Sequence, residues 1–320
     1  MNFTEYFNID VEDGHASLDF VDIDINDDTK LFLEPTLIEC IDDEWYKKCA
    51  KKINSFFDEL FFQYEKNNKK NILELLDCAH EPNETKLGLG SKESIKKGGR
   101  GNTPEKLYEV FSEIIDKKLL NKGLVKNPMD LCVFVHDFAE DGMSDLVTNI
   151  IRKELNEFTI NQCEKHGIEL DDKLVNIGKS WNNETKSWED AIERALTING
   201  KYILLVPKNI VRRKYIYSVD QYMNRKILEH RQNYHLINDT NLVEHTTDKN
   251  GNDIAKKPSK KLVRKEDVGD TPTKDYAVNY TFEHPDLIKD YRIEVASKAK
   301  LGTYTLRDEE LDEILYGDDI

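Results

Sequence analysis

The chain has 320 residues, of which 38% are hydrophobic and 34% are charged, and its formal net charge at pH 7 is −16. This composition excludes a wholly disordered chain, which lacks the apolar residues for a core. It also excludes a membrane-spanning chain, because the apolar runs fall short of the roughly 20 residues of a transmembrane helix. The five cysteines are scattered without a CxxC pair, as is typical of a reducing compartment. We therefore expect a cytoplasmic protein without a membrane partner.

Charge is distributed unevenly along the chain. Residues 1–50 contain fourteen acidic and three basic residues, whereas residues 201–265 contain fifteen basic and six acidic ones. Such asymmetry is typical of a polyanion-binding face beside an acidic face. Blocks of like charge are also common on solvated surfaces, so both interpretations stay open at the level of sequence.

Two short apolar runs predict the strands of the fold. Residues 131–135 read LCVFV and residues 201–207 read KYILLVP, and continuous runs of this length are typical of buried, parallel-type strands. Elsewhere, apolar residues recur every three or four positions, as over residues 45–64 and 107–119, which predicts amphipathic helices. The sequence thus predicts a mixed α/β fold, helix-rich overall, with a small, partly parallel sheet covered by many helices.

Capping residues predict where the helices begin, and a turn motif predicts a hairpin. Asp42 or Asp43, Thr103-Pro104, Ser144 and Ser218 precede helical patterns and are good N-caps. Asn250-Gly251 is a hairpin-turn sequence. We expect residues 1–240 to form a main α/β domain. Residues 241–320 would add a C-terminal hairpin, a basic segment and helices that pack on it.

A polar loop after residues 131–135 is the strongest candidate for a functional site. A strand that opens onto a helix start is where α/β proteins usually place ligands. The carboxylates of this stretch suit Mg or Mn, and a cation at the end of the second strand could stabilise charge on a phosphodiester. The predicted catalytic residues are Asp137, Asp141, Asp145 and Lys208, and the predicted metal ligands are Asp137, Asp141 and Asp145.

The helix that follows this loop carries unusual polar residues. Asp145, Thr148, Asn149, Arg152 and Asn156 share its non-apolar side. A solvated helix face usually carries Lys and Glu, and short hydrogen-bonding residues are poor helix formers. This pattern predicts either a functional site or a polar seam against another element.

Basic residues near glycines or tyrosines predict phosphate contacts. Three glycines surround Arg100, where backbone N–H groups could approach a phosphate, although a plain flexible loop fits the same sequence. Basic residues interleaved with tyrosines follow residues 201–207, and this mixture suits a nucleic-acid backbone. The ExK triplet Glu84-Thr85-Lys86 has a form used by metal-dependent nucleases, and it also arises by chance. The predicted phosphate-binding residues are Arg100, Arg152, Arg212, Arg213 and Lys214.

Four phrases together resemble a known set of sequences. They are NETKLGLG (83–90), GRGN (99–102), MSDLVTNIIR (143–152) and ILLVPKNIVRR (203–213). The set resembles an uncharacterised bacterial protein family associated with mobile elements and phage defence, over about residues 18–295. The resemblance implies a role in phage defence and assigns no activity and no catalytic residue.

These observations lead to two functional hypotheses. The first is a metal-dependent nuclease or other phosphoester-processing effector, with Mg or Mn as cofactor and DNA or RNA as substrate. The alternative is a non-catalytic nucleic-acid- or protein-binding subunit of a multi-component defence complex, with a protein partner from the same operon. The enzyme hypothesis requires Asp137, Asp141 or Asp145 to lie beside a second carboxylate and a cation, whereas the binding hypothesis requires only a basic surface.

Overall fold

Helices form most of the regular structure in the computed structural model, which describes residues 1–88 and 103–317. The N-terminal helices are α1 (Phe3–Phe7), α2 (Pro35–Cys40), α3 (Glu44–Glu65), α4 (Lys69–Leu76), α5 (Pro104–Asp116), α6 (Asp130–Phe134), α7 (Glu140–Ile150) and α8 (Arg152–Lys165). The C-terminal helices are α9 (Val219–Tyr222), α10 (Leu228–Ile237), α11 (Lys260–Val263), α12 (Thr273–Glu283), α13 (Asp286–Lys300) and α14 (Asp308–Tyr316). Single π-helical turns follow α9 and α11, at Met223–Ile227 and Arg264–Val268. The prediction of a helix-rich chain is confirmed.

The strands form small antiparallel pairs. They are β1 (Phe32–Leu33), β2 (Val175–Asn182), β3 (Ser187–Glu193), β4 (Thr197–Ile198), β5 (Lys201–Tyr202), β6 (Val211–Arg212), β7 (Glu244–Thr247) and β8 (Asp253–Lys256). The pairs are β1 with β6, β2 with β3, β4 with β5, and β7 with β8, each antiparallel. No parallel pair of strands occurs among the described residues, so the prediction of a partly parallel sheet is wrong.

The first predicted strand, residues 131–135, is instead the short helix α6. The Asp130 carboxylate accepts hydrogen bonds from the backbone N–H groups of Lys126 (2.8 Å) and Asn127 (2.9 Å), which closes a tight turn at the helix start. Residues 131–135 are buried on every side. A short apolar run that is fully buried looks the same in a strand and in a helix. Asn127-Pro128 is a turn-forming pair, and Asn127 Oδ1 accepts a hydrogen bond from the Met129 N–H (2.8 Å) in the turn before α6.

The second predicted strand, residues 201–207, forms a strand pair over β5 and an isolated antiparallel bridge between Phe20 and Pro207. Its buried continuation makes single hydrogen bonds to separate parts of the chain. The backbone N–H of Leu204 donates to the Glu84 carbonyl (2.9 Å), and that of Leu205 donates to Thr159 Oγ1 (2.9 Å). The Val206 carbonyl accepts from the Val21 N–H (3.0 Å). Because loops and helix side chains satisfy these backbone groups, the segment can be buried without a sheet.

The capping predictions are largely confirmed. Asp43, Thr103 and Ser218 each accept a backbone hydrogen bond at the start of α3, α5 and α9. Asn250-Gly251 lies in the turn between β7 and β8, and Gly251 has a φ of +85°, which glycine adopts without strain. Ser144 is the exception, because α7 begins four residues earlier, after Ala139.

One continuous cluster of buried side chains links most of the helices. It includes Phe3 near the start of the chain, Phe134 in α6, and Tyr291 and Leu311 near the end. Residues from both predicted domains therefore contribute to the same cluster. Among the described helices, none combines the length and apolarity that crossing a membrane requires.

Candidate functional site

Asp145 lies well inside α7, with only 8% of its surface exposed. Its neighbour Ser144 does not cap the helix, because its hydroxyl instead accepts a hydrogen bond from the backbone N–H of Leu33 in β1 (3.0 Å). The contact joins α7 to β1 and holds this face of the helix against the N-terminal segment. Asp145 is therefore fixed in a buried position by the packing of its own helix.

The Asp145 carboxyl group has no hydrogen-bond donor within residues 1–88 and 103–317. Burial raises the pKa of this group well above its usual range, and the nearby charges of Asp141, Glu81 and Asp28 raise the pKa further. A buried carboxylate is costly unless it is paired or coordinates a metal. The environment of Asp145 thus calls for a positive charge or a proton.

Two of the surrounding carboxyl groups come from other segments and show the same effect. Partial desolvation raises the pKa of Glu81, which is an exposed residue, and the charges of Asp28 and Asp141 add to the increase. Burial also raises the pKa of Asp28, although Lys86 Nζ lies 4.0 Å from Asp28 Oδ1 and opposes the shift. We call Asp28, Glu81, Asp141 and Asp145 the carboxylate cluster.

Backbone contacts fix Lys86 beside this cluster. The N–H of Thr29 donates to the Lys86 carbonyl (2.8 Å), and the N–H of Gly88 donates to the Thr29 carbonyl (2.9 Å). Lys86 has a φ of +54° and pairs with Asp28, whereas Glu84 pairs with Arg152. The two charged residues of the triplet Glu84-Thr85-Lys86 therefore have different partners, and only Lys86 lies beside the carboxylate cluster.

A family model described as a domain of unknown function, DUF8370, matches residues 8–218. The chain belongs to this family. Searches of curated proteins and of solved structures find no match. The match confirms the resemblance to an uncharacterised family, and it includes the whole carboxylate cluster. The residues from 219 onward, with α9 to α14, lie outside the matched DUF8370 domain.

Asp137 was predicted to bind metal together with Asp141 and Asp145, but in the DUF8370 domain it is not part of the carboxylate cluster. It is exposed in the turn after α6, with a φ of +54°. Its neighbour His136 pairs with Glu113 (Nδ1 to Oε2, 3.0 Å) and approaches Asp275 (3.5 Å). The predicted trio is thus divided between two places. Across the described ranges, no three His, Cys, Asp or Glu side chains are placed so that they could hold a metal ion.

Lys208, predicted as the catalytic cation, is also elsewhere. Its ammonium group donates to the His15 carbonyl and forms an ion pair with Asp308 at the start of α14 (2.7 Å). The prediction assumed that residues 131–135 and 201–207 are neighbouring strands, and neither run forms such a strand. The cation beside the carboxylate cluster is Lys86, which the sequence offered as part of the ExK triplet and not as a predicted catalytic residue.

Arg152, predicted to bind phosphate, is instead a buried structural residue. Only 1% of its surface is exposed, and its guanidinium lies 3.3 Å from Glu84 Oε1. It also donates to the Ile177 carbonyl (3.0 Å) and to the Tyr202 hydroxyl (3.0 Å). A Cβ atom at Gly178 would lie 3.2 Å from Arg152 Nε, so the hairpin of β2 and β3 packs closely on this side chain.

The rest of this polar helix face makes similar internal contacts. Asn149 Nδ2 donates to the His80 carbonyl (2.7 Å), and Asn156 Nδ2 donates to the Arg194 carbonyl (2.9 Å). Thr159 accepts from the backbone of Leu205. From Asn149 onward, the polar-seam interpretation is the correct one. Asp145, one turn before Asn149, has no such partner for its carboxyl group among the described residues.

The remaining predicted phosphate ligands differ in their surroundings. Arg212 donates to the Tyr304 carbonyl and is partly buried, so its guanidinium is engaged within the fold. Arg213 and Lys214 are exposed and make no ion pair with the described part of the chain. Arg100 lies outside the described residues.

Sequence reasoning missed Asp28 and Glu81, which the fold brings to Asp141 and Asp145. They lie more than fifty residues apart in the chain and belong to no recognisable motif. For Asp28 the available signal was the acidic excess of residues 1–50, which does not distinguish it from its neighbours, and Glu81 lies outside that region.

Proposed function

We propose that the DUF8370 domain processes phosphoesters of nucleic acid with a divalent cation bound at the carboxylate cluster. The observation that carries this proposal is the carboxyl group of Asp145, which is nine-tenths buried, has no hydrogen-bond donor among the described residues, and faces three further carboxyl groups. A divalent cation would offset this concentration of negative charge.

The choice of Mg or Mn follows from the ligand type and number. Both ions prefer carboxylate and water oxygens. Mg²⁺ is usually held by one or two carboxylates together with water and substrate phosphates, and rarely by a complete protein cage. Two residues of the cluster, Asp141 and Asp145 on the same helix, are therefore sufficient protein ligands for this proposal.

The chemistry would divide between the cation and Lys86. A bound divalent ion lowers the pKa of its water and polarises a phosphoryl oxygen. In the overall hydrolysis, a water oxygen would form a bond to phosphorus, the bond to the leaving oxygen would break, and a proton from the water would pass through solvent to that leaving oxygen. Lys86, held next to Asp28, would stabilise the negative charge that develops on the phosphate. A setting in bacterial phage defence, with a partner from the same operon, rests on the sequence resemblance and belongs to the proposal.

Cleavage of plasmid DNA or RNA tests the proposal. We expect cleavage with Mg²⁺ or Mn²⁺ and none with EDTA. Asp145→Asn removes the charge but keeps the size of the side chain. Loss of a residue that only supports a metal ligand typically lowers activity about 10- to 100-fold. Because Asp145 would bind the metal directly, Asp145→Asn should lower the cleavage rate by more than this.

Asp137→Asn is the matched control for this substitution. It makes the same chemical change eight positions earlier, and asparagine tolerates the left-handed conformation found at Asp137. The control should retain full activity. Equal rates for Asp145→Asn and the wild type would remove Asp145 from the reaction, and the absence of metal-dependent cleavage of every nucleic acid tested would contradict the proposal.

A further inference from the structure

A series of aromatic rings lies in the C-terminal region, outside the matched DUF8370 domain. Tyr276, Tyr280 and His284 recur every four residues along α12 and its C-terminal end, so they lie on one side of the helix. The rings of Tyr276 and Tyr280 are nearly parallel, at 10°, with centroids 5.7 Å apart. The His284 ring is 4.6 Å from that of Tyr280, and His230 of α10 is 4.7 Å from His284.

These rings are held in place without being part of the core. All four are only partly buried, whereas core aromatic residues such as Phe134 are fully buried. The hydroxyl group of Tyr280 and His230 Nδ1 are 2.7 Å apart, which links α12 to α10. Rings that are fixed but partly accessible can receive another flat ring at little entropic cost.

A basic segment packs beside the rings. Residues 256–265 contain six lysines and arginines and no acidic residue. Gln232 of α10 donates to the Pro258 carbonyl of this segment, and Arg231 Nε pairs with Asp267 (2.7 Å) in the π-helical turn that follows α11. The Arg231 guanidinium also lies 4.5 Å from the centre of the exposed ring of Tyr234. Helix α10 therefore joins the rings to the basic segment.

Three lysines of this segment are available for an external anion. Lys256, Lys257 and Lys261 are exposed, and none forms an ion pair within the described ranges. Many other cations of the protein have carboxylate partners, as Lys117, Lys226 and Arg292 do. In a chain of net charge −16, this local positive surface is distinctive.

We propose that the rings and the basic segment together form a binding site for single-stranded nucleic acid. Bases would stack on the outer part of the ring series at Tyr276, and the sugar–phosphate backbone would run along Lys256, Lys257 and Lys261. This combination of stacking rings and unpaired cations is how proteins bind single strands without reading their sequence. The paired bases of a duplex are not free to stack on the rings. The inference rests on the proposed function in one respect: the bound single strand would be the substrate that the carboxylate cluster cleaves.

The charge contribution is tested by fluorescence anisotropy with labelled oligothymidylate in EDTA, so that no cleavage occurs. The triple variant Lys256→Ala, Lys257→Ala, Lys261→Ala should bind more weakly. Its salt dependence should be shallower by about 2 in the slope of log K against log salt, since each phosphate contact on a single strand contributes about 0.7. The control replaces Lys51, Lys173 and Lys201, which are exposed and unpaired among the described residues. It changes the net charge equally and should bind as the wild type does.

The stacking contribution is tested at Tyr276. Tyr276→Leu keeps an apolar side chain but removes the aromatic face, and the affinity should fall about 5- to 150-fold. Tyr276→Phe keeps the face and should bind normally. Equal losses for the two lysine triples, normal binding by Tyr276→Leu, or tight binding to anionic lipid vesicles but not to oligothymidylate would each overturn the inference.

The binding experiments and the cleavage experiments can fail independently of each other. Asp145→Asn should bind oligothymidylate as the wild type does, because the carboxylate cluster plays no part in this site. Metal-dependent cleavage without single-strand binding would overturn this inference alone. Binding that depends on Tyr276 and the lysines, without any cleavage, would overturn the proposed phosphoester chemistry alone.

Discussion

Asp145→Asn is expected to raise the free energy of unfolding of the metal-free protein at pH 8. The pKa of Asp145 is higher in the folded than in the unfolded protein. Its contribution to stability is therefore complete below the unfolded pKa of about 3.9 and is lost as the pH rises through the folded pKa. Asparagine does not ionise and avoids this loss. We therefore expect Asp145→Asn to be more stable than the wild type at pH 8, because the wild type must hold an ionised, buried carboxylate there.

Urea unfolding of the wild type and Asp145→Asn at pH 4 and pH 8 measures this effect. The two proteins should differ less at pH 4. Added Mg²⁺ or Mn²⁺ should stabilise the wild type at pH 8, since a ligand that binds only the folded state stabilises it by mass action, and should have little effect on Asp145→Asn. Asp137→Asn, at an exposed position, should respond to metal as the wild type does. A loss of stability in Asp145→Asn at pH 8 would mean that the ionised carboxylate is favourably bound within the fold.

Arg152→Met is expected to destabilise the protein by about 3–5 kcal/mol, because it leaves Glu84 without its buried partner. Glu84 Oε2 already has no hydrogen-bond partner among the described residues, so the remaining carboxylate would depend on the Tyr202 hydroxyl alone. Thermal and urea unfolding measure the change. The double variant Arg152→Met, Glu84→Gln removes both charges and should recover part of the loss.

Lys153→Met is the control for this prediction. Lys153 is the next residue, is about half exposed, and pairs with Glu193 at the surface (3.0 Å). Surface ion pairs contribute about 0–1 kcal/mol, so this variant should be nearly as stable as the wild type. A stable Arg152→Met protein with weakened nucleic-acid binding would instead restore the phosphate-binding role that the sequence predicted for Arg152.

Several features of the fold depend on neighbouring residues and could be predicted from the sequence. The N-caps at Asp43 and Thr103 and the hairpin turn at Asn250-Gly251 were predictable, because each involves contacts within a few residues. The apolar stripe of α3 was also predictable, since its helical repeat extends over most of the 22 residues of that helix. Local hydrogen bonding and periodicity are sufficient in these cases.

The secondary structure of the fully buried runs and the composition of the site depend on contacts between distant segments. Residues 131–135 and 203–206 are apolar on all sides, so their patterns carry no information about helix or strand, and distant partners such as Thr159 satisfy their backbone. Likewise, the fold pairs the buried Arg152 with Glu84 and places the carboxyl groups of Asp28 and Glu81 near that of Asp145. The sequence nominated Asp141 and Asp145 from their chemistry. Their neighbours and the raised pKa of Asp145 arise from contacts between distant segments, which no local pattern encodes.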